Sequence, residues 1–319
     1  MSSPDDTPPD TPPDRGDHHR MRKQGHRARA VLAVLAAAVL GVTGCDAVGG
    51  TSPGPSGTGA QKGKPSPKPT PAWDSSPASV AAVGDSITRG FDACSVLSDC
   101  PEVSWATGSS AKVDSLAVRL LGKAKAAERS WNYAVTGARM ADLPGQMAQA
   151  GTRRPGLVAV MVGANDACRS SVSAMTSVAV FRSDFEDAMS TLRRASPKAQ
   201  VYVASVPNLK RLWSEGRTSP TGKQVWKLGI CPSMLADADA LDAAATERRN
   251  TVQQRVEAYN EVLEEVCAKD RHCRFDGGAV HDFRFGTAQL SQWDWFHPSV
   301  NGQARLAEIA YRTVTGRKA

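Results

Sequence analysis

Four short stretches of this sequence carry side chains that could do chemistry together. Ser86 closes the apolar run Ser79–Val83 through Gly84-Asp85. A serine hydroxyl is a weak nucleophile until a base takes its proton. His297 is the candidate base, and Asp294 stands three residues before it. At that spacing the carboxylate can reach one imidazole nitrogen while the other faces the serine. A tetrahedral oxyanion needs fixed donors. Gly137 offers a backbone N–H with no side chain in the way, Asn165 offers its amide, and Ser86 offers its own N–H. Each piece has a plainer reading. Ser86 could cap a helix, Gly137 could end a strand, Asn165-Asp166 could be a turn, and Asp294 and His297 a surface pair. The chemical reading gains weight because all four fall, in order, at the ends of predicted elements.

Those elements are short apolar strands alternating with amphipathic helices. Ser79–Gly84 reads as a strand buried on both faces, since parallel strands under two helix layers are near-continuous apolar runs. Further strands are expected at 130–137, 156–163 (the most apolar, hence central), 200–207 and about 273–280. Helices are expected at 109–126, 142–150, 173–195, from about 242 to 270, and at 301–315. The helix over 173–195 carries Val178, Phe181, Phe185, Met189 and Leu192 on one face, and the next long one carries Val252, Val256, Tyr259, Leu263 and Val266. The order implies a three-layer α/β/α sandwich around a parallel sheet of about five strands. The carboxyl edge of such a sheet is where its ligand crevice lies.

With these residues in place the chain resembles the SGNH hydrolases, the GDSL-type lipases and esterases. Gly84-Asp85-Ser86, Gly137, Gly163-x-Asn165-Asp166 and Asp294-x-x-His297 match the four family signatures, and the resemblance runs from about Val80 to Leu306. Ser104-Trp105 and the cysteine after Gly-x-Asn-Asp are similar to the phospholipase B-like branch and to secreted actinobacterial esterases. The resemblance implies the flavodoxin-like SGNH fold, with Ser86 as nucleophile and His297 as base. It further implies Asp294 as the orienting acid, an oxyanion hole completed by Gly137 and Asn165, and no cofactor. In some relatives a backbone carbonyl replaces the acid. An α/β-hydrolase is disfavoured because no Gly-x-Ser-x-Gly elbow surrounds this serine and the acid lies beside the histidine. The expected activity is hydrolysis of lipid or short-chain acyl esters through an acyl-enzyme. A carbohydrate-ester deacetylase is the alternative enzyme, and a non-catalytic ligand-binding lipoprotein the alternative of another class. Trp105, Arg139, Trp213, Trp226, Trp293 and the 208–242 region are expected to choose the substrate.

Composition bounds the rest. The chain has 319 residues. Residues 1–20 are rich in Pro and Asp with almost nothing apolar, and so read as a disordered extension ahead of a better start at Met21. Residues 21–45 join a basic stretch to the apolar run Ala30–Val42, too short for a comfortable membrane span. They end Val42-Thr43-Gly44-Cys45, which resembles a lipobox, so lipidation at Cys45 and an extracytoplasmic, membrane-anchored location are expected, with a secreted protein the alternative. Residues 46–76 have linker composition, and 77–319 form the catalytic domain, expected to be a monomer. That domain holds 30 Lys and Arg against 25 Asp and Glu with no dense basic run, which argues against nucleic-acid binding. Six cysteines remain in an exported chain, and local proximity favours Cys94–Cys100 and Cys267–Cys273, leaving Cys168–Cys231. No metal is expected, since the three histidines of the domain form no ligand pattern.

Overall fold

Five parallel strands, β1 (Val80–Gly84), β2 (Ser130–Asn132), β3 (Leu157–Met161), β4 (Gln200–Val203) and β5 (Cys273–Phe275), hydrogen-bond in the order β2-β1-β3-β4-β5. The computed structural model describes residues 73–317. The expected extension 1–20, signal 21–45 with Cys45, and most of the linker lie outside the described residues. Every residue of β1, β3 and β4 is buried, while edge strands β2 and β5 are half-buried. The near-continuous apolar runs therefore occupy the middle of the sheet, where helices cover both faces.

Four long helices supply most of that cover: α1 (Leu143–Thr152), α2 (Val178–Ala195), α3 (Ala243–Ala268) and α4 (Val300–Thr315). α1, α2 and α3 pack side by side, whereas α4 packs with the short helix Leu116–Leu121. The α2 face buries Phe181, Phe185, Met189 and Leu192, and α3 answers with Val252, Val256, Tyr259 and Leu263. Phe181 stacks on Tyr259 with ring centroids 4.0 Å apart. Each such buried side chain contributes about 1.5–3 kcal/mol of transfer free energy. The resulting architecture is the expected three-layer α/β/α sandwich, with the flavodoxin-like strand order.

Several boundaries differ from the sequence expectation for local reasons. The stretch 109–126 is not one helix. Asp114 takes a left-handed φ of 51° and Ser115 caps a helix that stops at Gly122, after which Lys123–Arg129 starts afresh. Strand β2 ends at Asn132, although the Tyr133 and Val135 N–H groups still donate to the Ala82 and Gly84 carbonyls of β1 at 2.8 and 3.1 Å. α2 begins at Val178, where Ser177 caps it, rather than at 173. The region after β4 folds into short helices, Leu209–Gly216, Pro220–Trp226 and Pro232–Leu235.

The strand order reverses between β1 and β3. Chain segments leaving their carboxyl ends therefore diverge to opposite faces and open a crevice between them. Ser86 follows β1 and Asn165 follows β3, so the topology sets both at that opening.

Candidate active site

The chain leaves β1 through Gly84 at a φ of +140°, and a Cβ there would stand 1.9 Å from the Met161 carbonyl oxygen. No other residue allows β1 and β3 to approach so closely while turning. Gln146 of α1 clamps the same glycine, its Oε1 accepting from Gly84 N–H at 2.7 Å and its Nε2 donating to Gly84 O at 2.9 Å. Asp85 then caps a one-turn helix, Ser86–Arg89, by accepting the Ile87 N–H at 3.0 Å. The turn is pinned from behind by Gln303 of α4, whose amide donates to Ile87 O at 2.9 Å. Ser104 Oγ and Asn132 Nδ2 donate to the Thr88 carbonyl at 2.7 and 2.9 Å. Ser86 is thus held on a rigid turn at the sheet's carboxyl edge.

His297 Nε2 lies 2.9 Å from Ser86 Oγ. Its Nδ1 lies 2.5 Å from Asp294 Oδ2. Asp294 is fully buried, and its Oδ1 accepts the N–H groups of Phe296 and His297, each at 2.9 Å. The segment is a tight turn with Trp295 at a left-handed φ of 53°. Two neighbours hold it. Trp226 Nε1 donates to the Asp294 carbonyl at 2.7 Å, and the Trp295 ring packs on Gly222, where a Cβ would come within 2.9 Å.

Burial pushes the His297 imidazolium down, but Asp294, with the carboxyls of Asp85 and Asp92, outweighs it and raises the pKa above the usual 6.5. Burial pushes Asp294 up, but the charge and hydrogen bond of His297 hold it below the usual carboxylate value. Asp85 is different. Burial drives it up to about 7, and its Oδ2 finds no partner among the described residues. An imidazole held between a hydroxyl and an ionised carboxylate can take the hydroxyl proton and carry the resulting charge.

Gly137 and Asn165 line the same cavity as Ser86 and His297. Asn165 Nδ2 donates to the Ala138 carbonyl at 3.0 Å, which ties it to the glycine turn. Asp166 fastens the two segments further, since its Oδ2 accepts the Met140 N–H at 2.9 Å and its Oδ1 the Thr176 hydroxyl at 2.7 Å. Nothing lies within 4 Å of where a Gly137 Cβ would stand. Neither the Ser86 nor the Gly137 N–H is donated to another described residue. Two free backbone donors beside a hydroxyl can receive a developing oxyanion.

A cavity of about 220 Å³ opens beside these groups, walled by Phe91, Leu209, Leu212, Ile230, Phe285 and Phe296 among others. The bond Cys168–Cys231 lines it and fastens the 229–235 stretch to the Asn165 segment. Ser233 adds two hydrogen bonds, its N–H to Arg169 O and its hydroxyl to Ala167 O. Cys94–Cys100 and Cys267–Cys273 are also bonded. The expected tryptophans do not line the cavity. Trp105 is core, Trp226 supports the acid turn, and Trp213 is buried under Arg249 at 4.1 Å. Arg139 is half-buried and Trp293 exposed, and neither lines the cavity. Gln146, Gln303 and Asp92 escape a sequence reading because a buried polar residue on a helix or loop leaves no spacing signal.

A sequence model described as GDSL-like lipase/acylhydrolase matches residues 80–310. No curated protein matches the sequence. Among solved structures, TesA is 19% identical with a TM-score of 0.42, covering 75% of this chain and 98% of its own. An extracellular lipase from Streptomyces rimosus is 18% identical with a TM-score of 0.44, covering 73% and 99%. A family two carbohydrate esterase from Clostridium thermocellum is 15% identical with a TM-score of 0.43, covering 75% and 64%. The sequence match extends from the first strand into the last helix. This chain therefore belongs to the GDSL-like lipase/acylhydrolases, the SGNH hydrolases, and is a carboxylic ester hydrolase.

Proposed function

We propose that the chain hydrolyses esters of apolar acyl groups through an acyl-enzyme on Ser86. His297 takes the Ser86 proton as Oγ attacks the ester carbonyl carbon. The carbonyl π electrons move onto oxygen, which is met by the N–H groups of Ser86 and Gly137 and by the Asn165 amide. When the C–O bond to the alcohol breaks, His297 returns its proton to the leaving oxygen. Water then repeats the sequence: it gives a proton to His297, attacks the acyl carbon, and frees the acid as Ser86 recovers its proton. Asp294 keeps Nδ1 protonated and offsets the imidazolium charge throughout.

The observation that carries the acyl preference is the cavity wall. Apart from the reacting groups and Thr136, it offers a substrate almost only hydrocarbon. A sugar would leave its hydroxyls unpaired there, at a cost for each. Further support comes from the surface, where Val96, Leu97, Val135, Leu228 and Trp293 are exposed on segments next to site residues. Exposed apolar side chains suit an amphiphilic ester better than a glycan.

A panel of p-nitrophenyl esters of rising chain length, set beside acetylated glycans, tests this reading. The expected result is kcat/KM rising from acetate to a longer acyl chain, with no release of acetate from glycans. A preference for acetylated glycans over every acyl ester would return the deacetylase reading.

A further inference from the structure

Asp92 takes no part in the reaction scheme, yet it sits at the end of the relay. It is 1% exposed and takes a left-handed φ of 54°. A carboxylate oxygen of Asp92, one of Asp294 and a ring nitrogen of His297 all lie within 4.8 Å of one another. The residue is also held firmly. Its carboxyl accepts the Leu97 N–H, its N–H donates to Ser98 O at 3.0 Å, and its carbonyl accepts the Ser291 hydroxyl at 2.6 Å. No arginine or lysine pairs with it among the described residues.

A merely structural loop anchor needs no carboxyl against a second buried carboxyl, because like charges at that range repel. We propose that Asp92 is a positioning residue of the relay: through Asp294 it sets how strongly the His297 proton is held, and so the pH at which the base becomes available. The proposal rests on the assignment of Ser86 and His297 above. Two states of Asp92 act in opposite senses. Ionised, it adds a second negative charge beside the imidazole and strengthens the imidazolium. Protonated, it donates to Asp294 and weakens that carboxylate's pull. Burial, together with the Asp294 charge, raises Asp92 to about 6, so both states are within reach in the working range of a histidine. The ionisable groups facing it are Asp294 and His297, and those facing His297 are Asp294, Asp85 and Asp92. Asp99 in the same loop is turned instead to Arg89 and Thr136.

Asp92→Asn tests this, because the amide keeps an oxygen for the Leu97 N–H and gains a neutral donor toward Asp294. The acid limb of kcat/KM should move to lower pH by at least about half a unit, the effect of removing one charge at this range. An acid limb that superimposes on the wild type overturns the proposal, whether or not turnover falls, since Asp92 then only anchors Leu97. Ser86→Ala, assayed alongside, separates the two readings. Retained turnover there removes the nucleophile and this proposal with it, whereas lost turnover with an unmoved limb in Asp92→Asn overturns this proposal alone. Should Asp92→Asn fail to fold, the Nδ1–H resonance of His297 in the wild type decides. It should titrate in two steps, and a single step overturns the proposal.

Discussion

In the proposed reaction His297 meets two opposing demands. It must be neutral to accept the Ser86 proton, yet the carboxyls around it favour the imidazolium and raise its pKa above 6.5. Activity should therefore fall with acidity from a higher pH than an isolated histidine would give. Asp294→Asn removes the largest source of that rise and leaves the tautomer unfixed. Turnover should drop about 10²–10⁴-fold, and the pKa of the residual activity should move down. A kcat/KM profile measured from pH 5 to 9 checks both. If neither changes, something other than Asp294 orients the histidine. At this scale Ser86, Gly137, Asn165, Asp294 and His297 stand out in the sequence because their types and spacings are specific. The residues that hold them do not stand out. Gln146 and Gln303 read as ordinary helix residues, and only three dimensions bring them to the backbone of Gly84 and Ile87.

The elements divide in the same way. α2 and α3 are legible because their apolar stripes are long and regular, and β1 and β3 because nothing polar interrupts them. The stretch 109–126 misleads because its helical periodicity runs straight through Ser115 and Gly122, which break it locally. The 208–242 region is harder still. Its tryptophans suggest a binding platform, but burial spends Trp226 on the acid turn and Trp213 on Arg249. The part of this region that does meet the cavity is aliphatic, at Leu209, Leu212 and Ile230. Cys168–Cys231 closes a separation of 63 residues and sets Ile230 against the catalytic face. Replacing both cysteines by serine should cost about 2–4 kcal/mol of stability. It should also reduce kcat/KM more for long acyl esters than for acetate, because the wall loosens where a long chain would lie. Thermal unfolding and the ester panel measure the two effects. A lowered Tm with an unchanged chain-length preference would show that the bond stabilises the domain without shaping the pocket.

In the whole domain one topological event does most of the assembling. Reversal of strand order between β1 and β3 opens the sheet's carboxyl edge, and the Ser86 turn, the Asn165 segment and the His297 turn meet there. The opposite edge receives the start of the domain. Trp73 Nε1 donates to the Val314 carbonyl at 2.8 Å, and the Asp74 N–H to Gln200 at the beginning of β4 at 2.6 Å. The chain thus enters the fold at the amino ends of the strands and sets the candidate site at their carboxyl ends. The central claim is that a covalent acyl group passes through Ser86, and active-site labelling tests it most directly. The protein is treated with a serine-directed fluorophosphonate, digested, and mapped by mass spectrometry, with Ser86→Ala in parallel. The account predicts a single adduct on the peptide carrying Ser86, no adduct in the variant, and ester turnover lowered about 10³-fold or more. An adduct on another residue, or a Ser86→Ala protein that hydrolyses esters at the wild-type rate, would contradict it.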